Sequence, residues 1–136
     1  MNSELIALID RLESEHVEVR HALDTIGSAV DQEDDVALRA ALLGGIDVLG
    51  TGLDVHSKAE DEVLFPGIAE MIGEEMVNAF AEEHVRIIAL RDQAYERMGQ
   101  GVADFEGCAE LGELLGNHTE REDQVLFPAA RGVLAD

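Results

Sequence analysis

One eleven-residue pattern occurs twice in this chain and limits the folds that it can adopt. HSKAEDEVLFP covers residues 56–66, and HTEREDQVLFP covers residues 118–128. Each copy places a histidine four residues before a glutamate and ends in a proline, and these two prolines are the only ones in the sequence. Side chains at this spacing share one face of an α-helix, whereas the proline ends or bends the helix. The repeat therefore predicts two related helices, each with one histidine–glutamate pair.

Four segments repeat apolar residues at alternating spacings of three and four, which is typical of helices that turn one face towards a core. Their apolar stripes begin at Leu5, Leu42, Val77 and Cys108, with breaks predicted at 31–35, 67–73 and 99–104. Short connections between long helices favour antiparallel neighbours. We therefore predict an all-α fold, an up-down-up-down antiparallel four-helix bundle, formed by one domain over residues 1–136.

Details of the second and fourth segments extend this prediction. The stripe of the second segment includes Ile46 and Val63, and that of the fourth includes Val125, so these three side chains are predicted to face the core. Glycines at positions 44, 45, 50 and 52 weaken the second segment as a helix. We expect its first part to be kinked or frayed.

The two halves of the chain are copies of one unit. EHVEVRHAL at 15–23 corresponds to EHVRIIALR at 83–91, and each is followed by one copy of the eleven-residue pattern. Each half is therefore predicted to be a hairpin of two helices. Two such hairpins would pack around a pseudo-twofold axis.

Six polar side chains occupy core-facing positions of the four stripes. They are His16, His56, Glu60, His84, His118 and Glu122. Burial of an unpaired carboxylate is costly, and the helical rise brings all six to the same part of the bundle. Four imidazoles and two carboxylates suit a pair of first-row metal ions, with iron or manganese favoured over the metals of thiolate-rich sites. We interpret these six residues as metal ligands.

The pattern H…HxxxE…H…HxxxE, with its EH and LFP surroundings, resembles the hemerythrin-like, or HHE, cation-binding family over essentially the whole chain. The resemblance implies a four-helix bundle that holds two non-haem iron ions. It implies that His16, His56, His84 and His118 are terminal iron ligands and that Glu60 and Glu122 bridge the two ions. An oxo or hydroxo group would complete the bridge.

One position departs from the oxygen carriers of that family, which have HxxxH in the third helix. The residue four positions after His84 is Ile88, which cannot bind a metal. An iron ion that lacks one imidazole keeps a position for water or substrate. The resemblance therefore implies a protein that binds or reacts with O2, NO or H2O2, with catalase-like peroxide handling or NO handling in stress as an enzymatic activity. The alternatives are a non-enzymatic iron sensor or buffer and an oxygen-binding hemerythrin.

Five further residues lie outside the predicted set of metal ligands. His21 lies off the apolar stripe and is predicted at the surface or rim, whereas Tyr95 and Cys108 are predicted in the core. Asp61 and Asp123 each follow one of the glutamates of the repeat. They either hydrogen-bond ligand histidines across the bundle or belong to a solvated acidic face.

Charge and composition restrict the kinds of molecule that the chain is expected to bind. Its 30 acidic and 9 basic residues give a net charge of −21, which disfavours binding to nucleic acid or to an anionic membrane. The lone Cys108 cannot form an intrachain disulfide, and the start MNSELIALID lacks the features of a signal peptide or membrane span. We therefore expect a cytoplasmic protein whose partner is a small diatomic or peroxide ligand. The sequence does not identify a redox partner.

Overall fold

The computed structural model describes residues 2–135, and within this range the chain is helical with no strand. Five helices follow one another: α1 (Asn2–Asp31), α2 (Asp35–Gly44), α3 (Val48–Ile72), α4 (Glu74–Gly99) and α5 (105–134). The interruptions after α1 and before Phe105 agree with the predicted breaks, whereas the break predicted at 67–73 is limited to Gly73, because residues 67–72 are helical. Asp104 caps the start of α5 by accepting a hydrogen bond from the Gly107 N–H. The all-α class is confirmed.

The four long helices, α1, α3, α4 and α5, form a helical bundle around two hydrophobic clusters. Helix α1 contacts α3 and α5, and α4 also contacts both of these helices. One cluster includes Leu53 and Leu115, and the other includes Leu12 and Phe127. Along α1, Leu12 belongs to one cluster and Val19 to the other, and His16 lies between them. The polar residues of the stripes therefore separate the two clusters. The predicted metal site thus lies inside the bundle.

Both copies of the repeated pattern contain a π-helical turn, at Glu60–Leu64 in α3 and at Glu122–Leu126 in α5. A π turn holds one more residue than an α turn and rotates the helix that follows. Val63 and Val125 are therefore 52% and 50% exposed, while the next residue in each helix is buried. The prediction that these two valines face the core is wrong. The proline of each pattern lies in the first turn of the α-helix that resumes beyond the π turn, so the helix continues past the proline rather than ending there.

The second predicted helix consists of two pieces. Helices α2 and α3 meet at an angle of 60° after a break that begins at Gly45. Gly50 has non-helical backbone angles, φ −86° and ψ −105°, within the first turn of α3. The predicted kink among the glycines is confirmed. Ile46 lies at the break and is 46% exposed, so its predicted core position is wrong.

Arg91 of α4 stabilises the kinked start of α3. Its buried guanidinium group donates hydrogen bonds to the carbonyl oxygens of Leu49 and Gly50, at 3.0 and 3.1 Å, and to Asp54 at 2.7 Å. A kink frees backbone carbonyls from the helical pattern, and buried carbonyls need other donors. This explains why a cation occupies a buried position of α4 away from the ligand-type residues.

Three of the five further residues that the sequence singled out lie away from the ligand positions. His21 is exposed, as predicted. Cys108 is buried, and burial raises the pKa of its thiol to about 11. Tyr95 is half-buried and donates a hydrogen bond to the Leu42 carbonyl at 2.7 Å, and burial raises its pKa to about 12. Both Cys108 and Tyr95 therefore act in packing within the described structure.

Taken one at a time, none of the helices in residues 2–135 has the length and apolar character needed to cross a membrane. The bent pair α2 and α3 reaches that length and composition only when the two are counted together. Buried core helices can have the same composition.

Candidate metal centre

The six side chains predicted as metal ligands meet at one level of the bundle. Helices α1 and α4 each contribute a histidine, and α3 and α5 each contribute a histidine and a glutamate. All six are buried: His16, His56, Glu60, His84, His118 and Glu122. The repeated pattern places each glutamate one turn after its histidine, so both side chains of a pair face the same point.

Glu122 lies at the centre of this cluster. Its two carboxylate oxygens are 3.1 Å from His16 Nε2 and 3.4 Å from His118 Nε2. Glu60 Oε1 is 3.0 Å from His84 Nε2 and 3.6 Å from His56 Nε2. Each carboxylate therefore has one histidine from its own helix and one from another helix beside it.

The ligand-type atoms form two groups that share one residue. One group contains Glu60, His84, His118 and Glu122, and the other contains His16, His56 and Glu122, with all atoms of a group within 4.8 Å of one another. Each group is small enough for its atoms to surround one cation. The shared carboxylate has two oxygens and can contact a cation in each group.

Asp61 and Asp123, which follow the two glutamates, lie against ligand-type histidines of neighbouring helices. Asp123 accepts a hydrogen bond from His16 Nδ1 at 2.8 Å, and Asp61 accepts one from His84 Nδ1 at 2.9 Å. Of the two roles left open by the sequence, the structure favours hydrogen bonding across the bundle. Asp123 also accepts a hydrogen bond from Arg20 at 2.7 Å.

Sequence analysis missed two further carboxylates that accept hydrogen bonds from ligand-type histidines. We call these two, together with Asp61 and Asp123, the outer carboxylates. Glu15 accepts a hydrogen bond from His56 Nδ1 at 2.9 Å, and Glu83 accepts one from His118 Nδ1 at 2.7 Å. Both glutamates stand directly before a ligand-type histidine in the repeated EHV sequence. That duplication was the available signal, because a repeated acidic residue beside a buried histidine indicates a shared role.

The four outer carboxylates fix the orientation of the four imidazole rings. An ionised carboxylate only accepts hydrogen bonds, so each Nδ1 must carry the proton. The lone pair of each Nε2 then points to the centre of the bundle, where a metal ion would accept it. Outer carboxylates that hold histidines in this way are a common feature of metal sites.

Several buried polar atoms at the centre have no hydrogen-bond partner among the described residues. They are Glu60 Oε2, His118 Nε2, Glu122 Oε1 and Glu122 Oε2. Leaving such groups unpaired costs about 1–3 kcal/mol each, and more where a group is charged. Cations at the centre would satisfy all four atoms, so the residues present fit the metal ions that the ligand pattern implies.

The two central carboxyl groups have opposite pKa shifts. Burial and the negative charge of Glu122 raise the pKa of Glu60 well above its usual range. Burial would also raise the pKa of Glu122, but the adjacent Glu60 carboxyl group and the His118 and His16 rings hold it well below its usual range. Two buried carboxylates this close cannot both stay ionised without added positive charge.

The histidines also differ in pKa. Burial acts to lower the pKa of all four, and the pKa of His56 and His84 falls below the ordinary value. For His16 and His118 the adjacent Glu122 carboxylate outweighs burial and raises the pKa. The histidines that contact the ionised carboxylate therefore hold a proton more readily.

Aromatic rings cover one side of the cluster. Phe127 stacks on His16 with ring centres 5.6 Å apart, and Phe65 stacks on His84 at 5.9 Å. Phe80 meets His118 edge-on at 5.3 Å. These contacts hold the imidazoles in place and exclude water from that side of the centre.

A small cavity lies on the other side, beside the four histidines. Its volume is about 10 Å³, which is close to the minimum that a single water molecule requires. The remaining lining comes from four apolar and two hydroxyl side chains: Val19, Leu53, Ile87, Leu115, Ser57 and Thr119. Only a very small molecule could occupy this space next to the imidazoles.

Comparison with known proteins places these observations in a family. The sequence profile described as hemerythrin HHE cation binding domain matches residues 7–130. That range includes all six ligand-type residues and the four outer carboxylates. No curated protein and no solved structure matches the chain.

Proposed function

The chain belongs to the hemerythrin HHE cation-binding domain family, and on that premise we propose that it is a non-haem di-iron protein that binds or reacts with O2, NO or H2O2. The observation that carries this proposal is the buried cluster of four histidines and two glutamates. Several of its nitrogen and oxygen atoms have no hydrogen-bond partner among the described residues, and a cavity of about 10 Å³ lies beside the histidines. Catalase-like breakdown of peroxide and handling of NO are the activities that we favour.

We propose that His16, His56, His84 and His118 are terminal ligands and that Glu60 and Glu122 bridge two iron ions, together with an oxo or hydroxo group. The sharing of Glu122 between two groups of atoms supports a two-ion site. Nitrogen and oxygen ligands without thiolate favour iron or manganese.

We infer that the four long helices alternate in direction, as an internally duplicated up-down-up-down bundle in a single domain. Cross-helix contacts support this order. His84 and Arg91 of α4 contact Asp61 and Asp54 of α3, respectively. Residues that lie later in one helix therefore meet residues that lie earlier in the other, as antiparallel helices require.

Bound iron would supply the redox chemistry, and the protein residues would control access and protonation. The outer carboxylates keep each Nδ1 protonated and each Nε2 free to bind. The phenylalanines exclude water from one side of the site. The cavity admits one small molecule from the other side and excludes larger substrates.

We propose that the chain acts in the cytoplasm with a small diatomic or peroxide ligand and without nucleic acid or membrane partners. The net charge of −21 supports the exclusion of polyanionic partners. A redox partner that docks on this chain would meet a strongly acidic surface.

A non-enzymatic iron sensor or buffer is the second candidate. It is favoured by the burial of two carboxyl groups without neutralising partners, because metal binding would then contribute strongly to folding. In a sensor, removal of iron would cause a large loss of helical structure. In an enzyme, the metal-free chain would stay folded, and the loaded chain would turn over peroxide or NO rapidly.

The decisive experiment for the proposed function is metal analysis followed by exposure to each ligand. We expect two iron ions per chain after expression with adequate iron. Anaerobic, reduced protein should then change its absorption spectrum with O2, NO or H2O2. Metal-free protein that has been purified in parallel is the control. Protein that has been expressed with adequate iron and still contains no transition metal would contradict the proposal.

Acidification is expected to release the iron, because protons compete with the metal for the histidine Nε2 atoms. The ordinary pKa of histidine is about 6.5, and metal binding moves the midpoint of release to a lower pH. Iron retained after gel filtration at successive pH values measures the release. Retention below about pH 3, where carboxylates are also protonated, would exclude this ligand set.

A further inference from the structure

Ser57 places a buried hydroxyl group at the small cavity beside the histidines. The residue follows His56 in α3 and is only 3% exposed. Its Oγ has no hydrogen-bond partner within residues 2–135. Buried polar groups are nearly always paired, so an unpaired hydroxyl on a cavity wall indicates a partner that enters the cavity.

Thr119 occupies the equivalent position in the second copy of the repeat, directly after His118, and lines the same cavity. Its Oγ1 donates a hydrogen bond to the Gly116 carbonyl at 3.0 Å. Serine and threonine in helices commonly satisfy their hydroxyl groups in this way. The Ser57 hydroxyl makes no such hydrogen bond to a carbonyl of its own helix. The first copy of the repeat therefore has a free hydroxyl donor at the cavity, whereas the second copy does not.

The other residues around the cavity offer no competing donor. Val19, Leu53, Ile87 and Leu115 are apolar. The four histidines direct their Nδ1 protons outward to the outer carboxylates. Among the residues that line the cavity, the Ser57 hydroxyl is therefore the one donor that is not already used.

We propose that Ser57 donates a hydrogen bond to the ligand atom that enters the cavity and favours small ligands that carry negative charge on that atom, as bound peroxide and azide do. This inference rests on the proposed function, because the ligand must bind beside the histidines. Ser57 acts on the ligand and is not itself a metal ligand.

The test is azide titration of oxidised, iron-loaded protein, followed by absorbance. Ser57→Ala should weaken azide binding roughly tenfold, as expected for loss of one hydrogen bond, with iron content unchanged. The infrared stretch of bound azide should shift between H2O and D2O in the parent protein and lose that shift in Ser57→Ala. Thr119→Val is the matched control on the same cavity wall; because its hydroxyl is already paired, this variant should keep the isotope shift and bind azide more tightly than Ser57→Ala does.

The possible outcomes separate the two proposals. An iron-loaded parent protein that binds no azide overturns this inference, whereas the proposed function fails only if the same protein also gives no response to O2, NO or H2O2. Equal azide affinity in the parent and Ser57→Ala overturns the role of Ser57 alone. An equal loss in Thr119→Val and Ser57→Ala does the same, because it indicates a general disturbance of the cavity.

Discussion

Glu122→Gln is expected to abolish tight binding of both metal ions. Glu122 belongs to both groups of ligand-type atoms, and its two oxygens lie beside histidines of different helices. Glutamine keeps the shape of the side chain but removes its negative charge and replaces one acceptor oxygen with a donor. Loss of an outer partner typically weakens metal binding 10–100-fold, so loss of a shared inner ligand should weaken it by more than about 100-fold. Competition with a chelator of known affinity measures this change.

Glu120→Gln is the matched control for this experiment. Glu120 lies two residues earlier in the same helix and is exposed. The control removes the same charge without changing the centre, so it should retain two ions per chain. If Glu122→Gln also binds two ions with parental affinity, Glu122 is not a bridging ligand and the proposed centre is wrong.

The sequence predicted the burial and clustering of the six ligand-type residues better than it predicted the course of the helices. The ligand-type residues were found because burial of His16 or Glu122 in an apolar stripe contradicts ordinary core packing. Positions before each ligand turn follow the regular spacing, as Leu53 and Leu115 do. Up to that point, a period of 3.6 residues describes α1, α4 and α5 correctly, whereas the break that begins at Gly45 moves Ile46 out of the core in the second segment.

Beyond the ligand turns the regular period fails. The π turns after Glu60 and Glu122 rotate each helix, and Leu64 and Leu126 replace the preceding valines in the core. A fixed period cannot reveal an inserted residue, because both valine and leucine are apolar. Both copies of the repeat have the same VLF sequence, so comparing them does not show whether the valine or the leucine faces the core.

Contacts between helices were the second feature that the sequence did not predict fully. The sequence offered Asp61 and Asp123 as outer partners but not Glu15 and Glu83, although all four have equivalent contacts. Spacing along one helix shows which side chains share a face. It does not show which residue of the next helix lies opposite, because that depends on the axial position of two packed helices.

The double variant Glu60→Leu/Glu122→Leu is expected to bind no metal and yet to be more stable than the metal-free parent. Both carboxyl groups are fully buried, and three of their four oxygens have no hydrogen-bond partner among the described residues. Replacing buried charged groups by apolar side chains of similar volume is often stabilising, by about 1–4 kcal/mol. Urea unfolding of both metal-free proteins measures the difference in the free energy of unfolding.

Comparison with the metal-loaded parent separates a metal centre from a structural polar cluster. Metal that binds only the folded state stabilises it by about 4 kcal/mol per site at a thousandfold excess over the dissociation constant. The loaded parent should therefore exceed the double variant in stability, whereas the metal-free parent should fall below it. Glu62→Leu/Glu120→Leu changes two exposed glutamates and should alter stability by less than about 0.5 kcal/mol. A double variant less stable than the metal-free parent would mean that the carboxyl groups stabilise the fold directly, and the argument that they are buried to hold cations would fail.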